Sequence, residues 1–210
     1  MIGLIGKKLG MSQVFGADGS LVPVTVIQTG PCTVVQKKTT QRDGYTALQL
    51  GFGARKPQRA NKPLLGHCKA AGAGPFTVLR EFRVADVDNY EVGSELTIAQ
   101  IFQAGELVDV IGRTKGRGYT GVIKRHGMSG FPGIHGTHEY FRHGGSIGNR
   151  SFPGRIFKGK RMAGQYGNDR MTALHLRVVE VRPESHLLLV GGSVPGARGG
   201  IVLIHKAVQE

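Results

Sequence analysis

The stretch from Gly112 to Arg170 limits what this chain can fold into more than any other. It carries twelve Lys and Arg against two acids, Glu139 and Asp169, so ten of the chain's fourteen net positive charges fall within it. Glycine and proline interrupt it every few residues. Its apolar residues (Val122, Ile123, Phe131, Ile134, Phe141, Ile147, Phe152) recur at neither helical nor strand period. Such a stretch has too little apolar surface to pack a core of its own, and ordering it costs on the order of 1–2 kcal/mol per residue in backbone entropy. The expectation is a segment ordered only against a partner that supplies many charge-assisted contacts. Charge this concentrated points to a polyanion rather than to a generally basic surface. A membrane is the poorer polyanion, because no amphipathic basic helix runs through so much glycine and proline.

The flanking chain reads differently. Roughly 150 of the 210 residues lie outside the basic stretch, enough for one domain that buries about 70% of its unfolded surface. Leu21 to Gln28, Cys32 to Lys37, Tyr45 to Phe52, Phe76 to Val84, Leu107 to Ile111, Thr172 to Arg182, His186 to Val190 and Ile201 to His205 are short, β-branched and bounded by turns such as Asp18-Gly19 and Gly30-Pro31. The alternation slips phase at Val178-Val179, which predicts a bulge. Glu95 to Phe102 suits a strand or a short helix, and residues 1–10 suit an edge strand or a basic tail. Residues 53–95 form a small α+β excursion, with a second basic patch from Arg55 to Lys62. No long helical period occurs. The fold class is therefore mainly β, a small closed or partly closed barrel. The globular domain takes residues 1–111 and 171–210, with 112–170 as an irregular basic extension between two barrel strands.

Several motifs suggest chemistry that their context excludes. Gly116-Arg117-Gly118-Tyr119-Thr120-Gly121 fits the dinucleotide fingerprint, but the helix it must open is blocked by Gly127, Gly130 and Pro132. Gly154 to Lys160 fits the start of a phosphate-binding loop, but Arg161 stands where a magnesium-binding Ser or Thr is needed. What both share with true phosphate loops is glycine that admits close backbone approach and adjacent cations. His135 and His138, with His126 and His143 nearby, have only Glu139 as a neighbouring acid, so histidines contacting RNA are favoured over a metal site. Cys32 and Cys68 have no metal-ligand spacing and read as reduced thiols. Ser146 and Ser151 have no organised base, and no catalytic residue is assigned. The aromatics among the cations (Tyr119, Phe131, Tyr140, Phe141, Phe152, Phe157, Tyr166) suit stacking on bases as well as they suit a core.

Over essentially its whole length the sequence resembles the bacterial form of the universal ribosomal large-subunit protein three family. The resemblance rests on the opening Met1 to Met11, on Phe102, Asp109, Gly112, Thr114, Gly116, Arg117, Gly118, Gly121 and Arg125, and on Gly145-Ser146-Ile147-Gly148. Pro153-Gly154-Arg155, Lys158 to Gly164 and Val194-Pro195-Gly196 complete it. It implies a six-stranded, Greek-key-like barrel of the translation-protein type. It also implies binding of large-subunit ribosomal RNA near its 3′ end, a role early in subunit assembly, and an extension reaching toward the peptidyl transferase centre. Ribosomal proteins fourteen and nineteen would be neighbours. Three positions depart from the family's pattern. His126 follows Lys124-Arg125 where Trp is usual. Phe141-Arg142 replaces a His-Arg pair. Ser151 stands at the glutamine that is methylated in some members, so that modification is not expected.

The residues expected to contact RNA are Lys115, Arg117, Lys124, Arg125, His126, Arg142, His143, Arg150, Arg155, Lys158, Lys160, Arg161 and Arg170, with Lys7 and Lys8 as weaker candidates. No cofactor, metal, membrane or small-molecule substrate is expected. The resemblance places the protein on a cytoplasmic ribosome, an organellar one being the alternative. The competing reading is a non-ribosomal RNA-binding or assembly scaffold.

Overall fold

The computed structural model describes residues 3–16 and 18–207. In chain order the strands are β1 (Gly3–Phe15), β2 (Leu21–Thr29), β3 (Cys32–Lys38), β4 (Ala47–Ala54), β5 (Phe76–Arg83), β6 (Glu95–Leu96), β7 (Leu107–Arg113), β8 (Tyr119–Thr120), β9 (Gly164–Gln165), β10 (Arg170–Arg182), β11 (Leu187–Gly191) and β12 (Ile201–Lys206). Short helices α1 (Thr40–Asp43), α2 (Lys62–Lys69), α3 (Ile98–Ile101) and α4 (Val122–His126) lie between them. The chain divides into two compact units, one running to Arg113 and resuming at Arg170, the other Thr114–Asp169.

The first unit contains the closed six-stranded barrel, in the order β1-β12-β7-β10-β11-β2. Alternation along β7 and β12 shows how it fills. Val108, Val110, Val202 and Ile204 are buried inward, while Ile111, Ile201 and Leu203 on the outer face are only half-buried. Closure needs bent strands, and β10 is bent twice, with register shifts between Ala173 and Leu176 and between Val178 and Glu180. The second is the bulge expected from the sequence. At the first, His175 takes a φ of 51° and its N–H donates to Asp109 Oδ1 at 2.8 Å.

Residues 3–10 are neither an edge nor a tail. They belong to β1, which pairs with β12 on one side and β2 on the other. Leu4 and Gly6 face the interior beside Ile204 and Val202, and Gly3 and Ile5 face outward. The outward face is covered by a second sheet, order β5-β4-β3-β6, so four successive residues are buried. Phe82 of β5 fills this seam, packing against Gly3 and meeting the His205 ring at a tilt of 47° with ring centroids 5.0 Å apart. The Cys32 thiol donates to Ile5 O at 3.5 Å, and burial pushes its pKa up to about 11, so it is an inert core thiol. β3 and β4, read from sequence simply as further strands, belong to this second sheet. Residues 95–102 contain both options left open: β6, then α3 started by a Thr97–Gln100 capping box.

Burial also holds the His205 imidazole below its ordinary pKa of 6.5. Above that value both folded and unfolded states are neutral there. As pH falls below it, the unfolded chain takes up a proton that the folded chain refuses, so stability declines until the folded pKa is passed. Wild type is expected to lose urea resistance between pH 7 and 5.5 relative to His205→Gln. Parallel midpoints over that window would refute the assignment.

Candidate nucleic-acid interface

The second unit is partly self-ordered, contrary to the expectation that nothing in the basic stretch packs. Its two ends zip together. β8 pairs with β9, Arg117 N–H donates to Tyr166 O at 2.8 Å, Tyr166 N–H to Gly118 O at 3.0 Å, and Thr114 N–H to Asp169 O at 2.9 Å. Gly167 makes this approach possible, because its φ is 72° and a Cβ there would collide with Lys115 O. α4 follows β8, buries Val122, and stops after five residues at Gly127 (φ 69°). The long helix of a dinucleotide fold is therefore absent among the described residues. Arg125 Nη1 and His126 Nε2 both donate to Met162 O, at 2.7 and 3.0 Å, which ties α4 to the returning strand.

Between residues 131 and 161 the expectation of a coreless chain holds. Thr137 and Pro153 are half-covered and every other residue is exposed. Phe152 is 86% exposed and Phe157 63%, so these rings are not core residues and stand available for stacking. Arg142, Arg150, Arg155, Lys158, Lys160 and Arg161 are exposed, and none is ion-paired among the described residues. Arg150 and Arg155, with Ile147 and Ile156, line a cavity of about 170 Å³. His143 packs its ring on Tyr140 at 4.8 Å. Nearer the ladder, Lys115 and Lys124 are exposed, and the exposed Arg117 guanidinium lies 5.1 Å from the centre of the Tyr166 ring. Arg125 and His126 are half-buried by the Met162 contact, so they staple the segment as well as facing solvent.

In the first unit, Arg170 and Lys7 are exposed, as are Arg55, Lys56, Arg59 and Lys62 of the smaller basic patch. Lys8 is a correction. It is 8% exposed, and its ammonium donates to Val194 O at 2.6 Å and Gly196 O at 3.2 Å. Its ammonium anchors the loop before β12 and is not presented to solvent as the expected RNA contact requires. The Lys8 side chain continues the inward alternation of Leu4 and Gly6 along β1, a strand whose period the sequence does not signal. Among the described residues no group of three or more His, Cys, Asp and Glu is placed to hold a metal.

A model of the family described as Ribosomal protein L3 matches residues 71–186. The chain is 55% identical to the large ribosomal subunit protein uL3 of Syntrophobacter fumaroxidans over 97% of its length and 96% of that protein. It is 52% identical to that of Syntrophotalea carbinolica, covering 98% and 97%, and 53% identical to that of Thermotoga petrophila, covering 97% and 96%.

Proposed function

The chain belongs to the ribosomal protein L3 family, and from that premise we propose that it is a structural, non-enzymatic component of the large ribosomal subunit that binds the subunit's RNA. In this reading the barrel unit docks near the 3′ end of the RNA and promotes early assembly. The stretch 112–170 is the extension directed toward the peptidyl transferase centre, and ribosomal proteins fourteen and nineteen are its neighbours on a cytoplasmic ribosome. The observation that carries the reading is the exposed, coreless run 131–161, whose cations lack acidic partners among the described residues. Arg and Lys there bridge phosphates of adjacent RNA helices, and the intervening glycines admit close backbone approach.

The test is the salt dependence of binding to large-subunit RNA. Each phosphate neutralised adds about 0.7–0.9 to the slope of log affinity against log salt, and six to ten contacts lower affinity by about 10³–10⁵ between 50 and 200 mM. A slope near zero would sink the proposal. Sedimentation with the large subunit after a high-salt wash separates a ribosomal component from a non-ribosomal RNA scaffold, which would wash off.

A further inference from the structure

We infer that the outer face of the barrel carries a pocket for one unstacked nucleotide of RNA, separate from the contacts of residues 131–161. A cavity of about 320 Å³ lies there, with β7, β10 and β12 supplying most of its walls. Its floor is apolar: Ile111 and Leu203 are register partners on β7 and β12, Ile201 lies beside them, and Pro195 comes from the loop that Lys8 anchors. All four are half-buried rather than covered.

Its rim is cationic. Arg113 and Arg170 face each other directly across the β7–β10 ladder, and Arg80 reaches in from β5. Like charges directly opposed on neighbouring strands are destabilising. Here a third guanidinium adds to them, and the lining contains no carboxylate. None of the three arginines is ion-paired among the described residues. The hydrogen bond seen for Arg80 runs from Nη1 to the adjacent Leu79 O at 2.8 Å. An arrangement that is unfavourable in the free protein becomes favourable around an anion able to take forked guanidinium bonds, and phosphate is that anion.

The floor narrows the ligand further. Inorganic phosphate has no use for three aliphatic side chains and a proline ring, whereas a base has a flat face that packs on them. The volume sits near the lower end of ligand pockets, about 300–1,000 Å³, which suits one nucleotide and excludes a duplex. A paired base offers only its edges, so the occupant is splayed out of its helix. A free nucleotide shares this chemistry. RNA is the source the proposed function supplies, and the inference rests on that reading.

The experiment probes bound large-subunit RNA with base-specific and 2′-hydroxyl reagents, using the full chain and its Arg80→Gln/Arg170→Gln variant. Both side chains are exposed, so the variant keeps the fold. In the wild-type complex one unpaired base is expected to be protected. In the variant that protection disappears, affinity drops about tenfold, and protections elsewhere persist. Arg80→Lys/Arg170→Lys, which keeps charge but loses the fork, should restore part of the effect. A second arm titrates adenosine and uridine monophosphates, with inorganic phosphate as control, against the methyl resonances of Ile111, Ile201 and Leu203.

Identical protection patterns in wild type and variant overturn the pocket while leaving RNA binding standing. Methyl shifts with the monophosphates but no change in RNA protection make it a free-nucleotide site and overturn the RNA assignment. A cross-link from a photoreactive residue replacing Leu203 to a ribosomal protein instead of RNA also overturns it, in favour of an acidic peptide. Failure of the wild type to bind RNA at all removes the proposed function together with this inference.

Discussion

Replacing Arg150, Arg155, Lys158, Lys160 and Arg161 together by glutamine is expected to lower affinity for large-subunit RNA by roughly 3,000- to 30,000-fold at 0.1 M salt, with no measurable loss of folding stability. Five lost phosphate contacts flatten the salt slope by about 3.5–4.5, which at 0.1 M corresponds to that loss. Stability is spared because all five side chains are exposed and belong to a run without a core. Surface substitutions of this kind usually stay within about 0.5 kcal/mol. Arg125→Gln should behave differently, since its guanidinium holds Met162 O, and its effect on RNA binding includes a loosened α4. Filter binding at several salt concentrations, paired with urea melts, separates the two. An unchanged slope in the fivefold variant would show that these cations do not meet phosphate.

The largest effect on the fold is expected at the seam between barrel and second sheet. Phe82 is fully buried, and Phe82→Ala should cost about 3–5 kcal/mol through lost burial and the cavity left behind. Gly3→Ala should cost about 1–3 kcal/mol by overpacking, because the new Cβ would lie 2.6 Å from the Phe82 ring and would also press on Ile204 O. The two losses should not add. Removing the ring makes room for part of the new methyl, while the carbonyl of Ile204 still crowds it. The double variant should therefore be more stable than the sum of the singles predicts, by about 0.5–3 kcal/mol. Strict additivity in urea midpoints would mean the seam relaxes elsewhere.

This seam also shows where sequence reading stops. The barrel strands β7 and β12 were legible because only their inner faces are buried, so Val108, Val110, Val202 and Ile204 alternate with residues of intermediate exposure. The phase slip in β10 was legible for the same reason. β1 was not, because its opening residues are buried on both faces and a short apolar run with glycine carries no period. The sheet membership of β3 and β4 was invisible, since a strand's pattern encodes its buried face and not its neighbour. In the basic segment, charge and exposure were legible from composition, and the exposed cations of 131–161 follow from it. The local ladder of β8 and β9 was not, because it joins residues more than forty positions apart through backbone bonds that need no particular side chains. Arg113 and Arg170 gave no signal for a similar reason. Their meeting depends on register across the whole insertion, and Arg80 comes from another sheet.

Pairing of β1 with β12 brings Gly3 beside His205, so the barrel is sealed by its first and last strands. During synthesis β1 leaves the ribosome long before its partner exists. The second sheet, built from residues 32–96, has all its strands early and can form while the chain is still growing. Closure of the barrel is then a late event dominated by the longest-range strand pairing among the described residues, which makes it slow compared with local pairing.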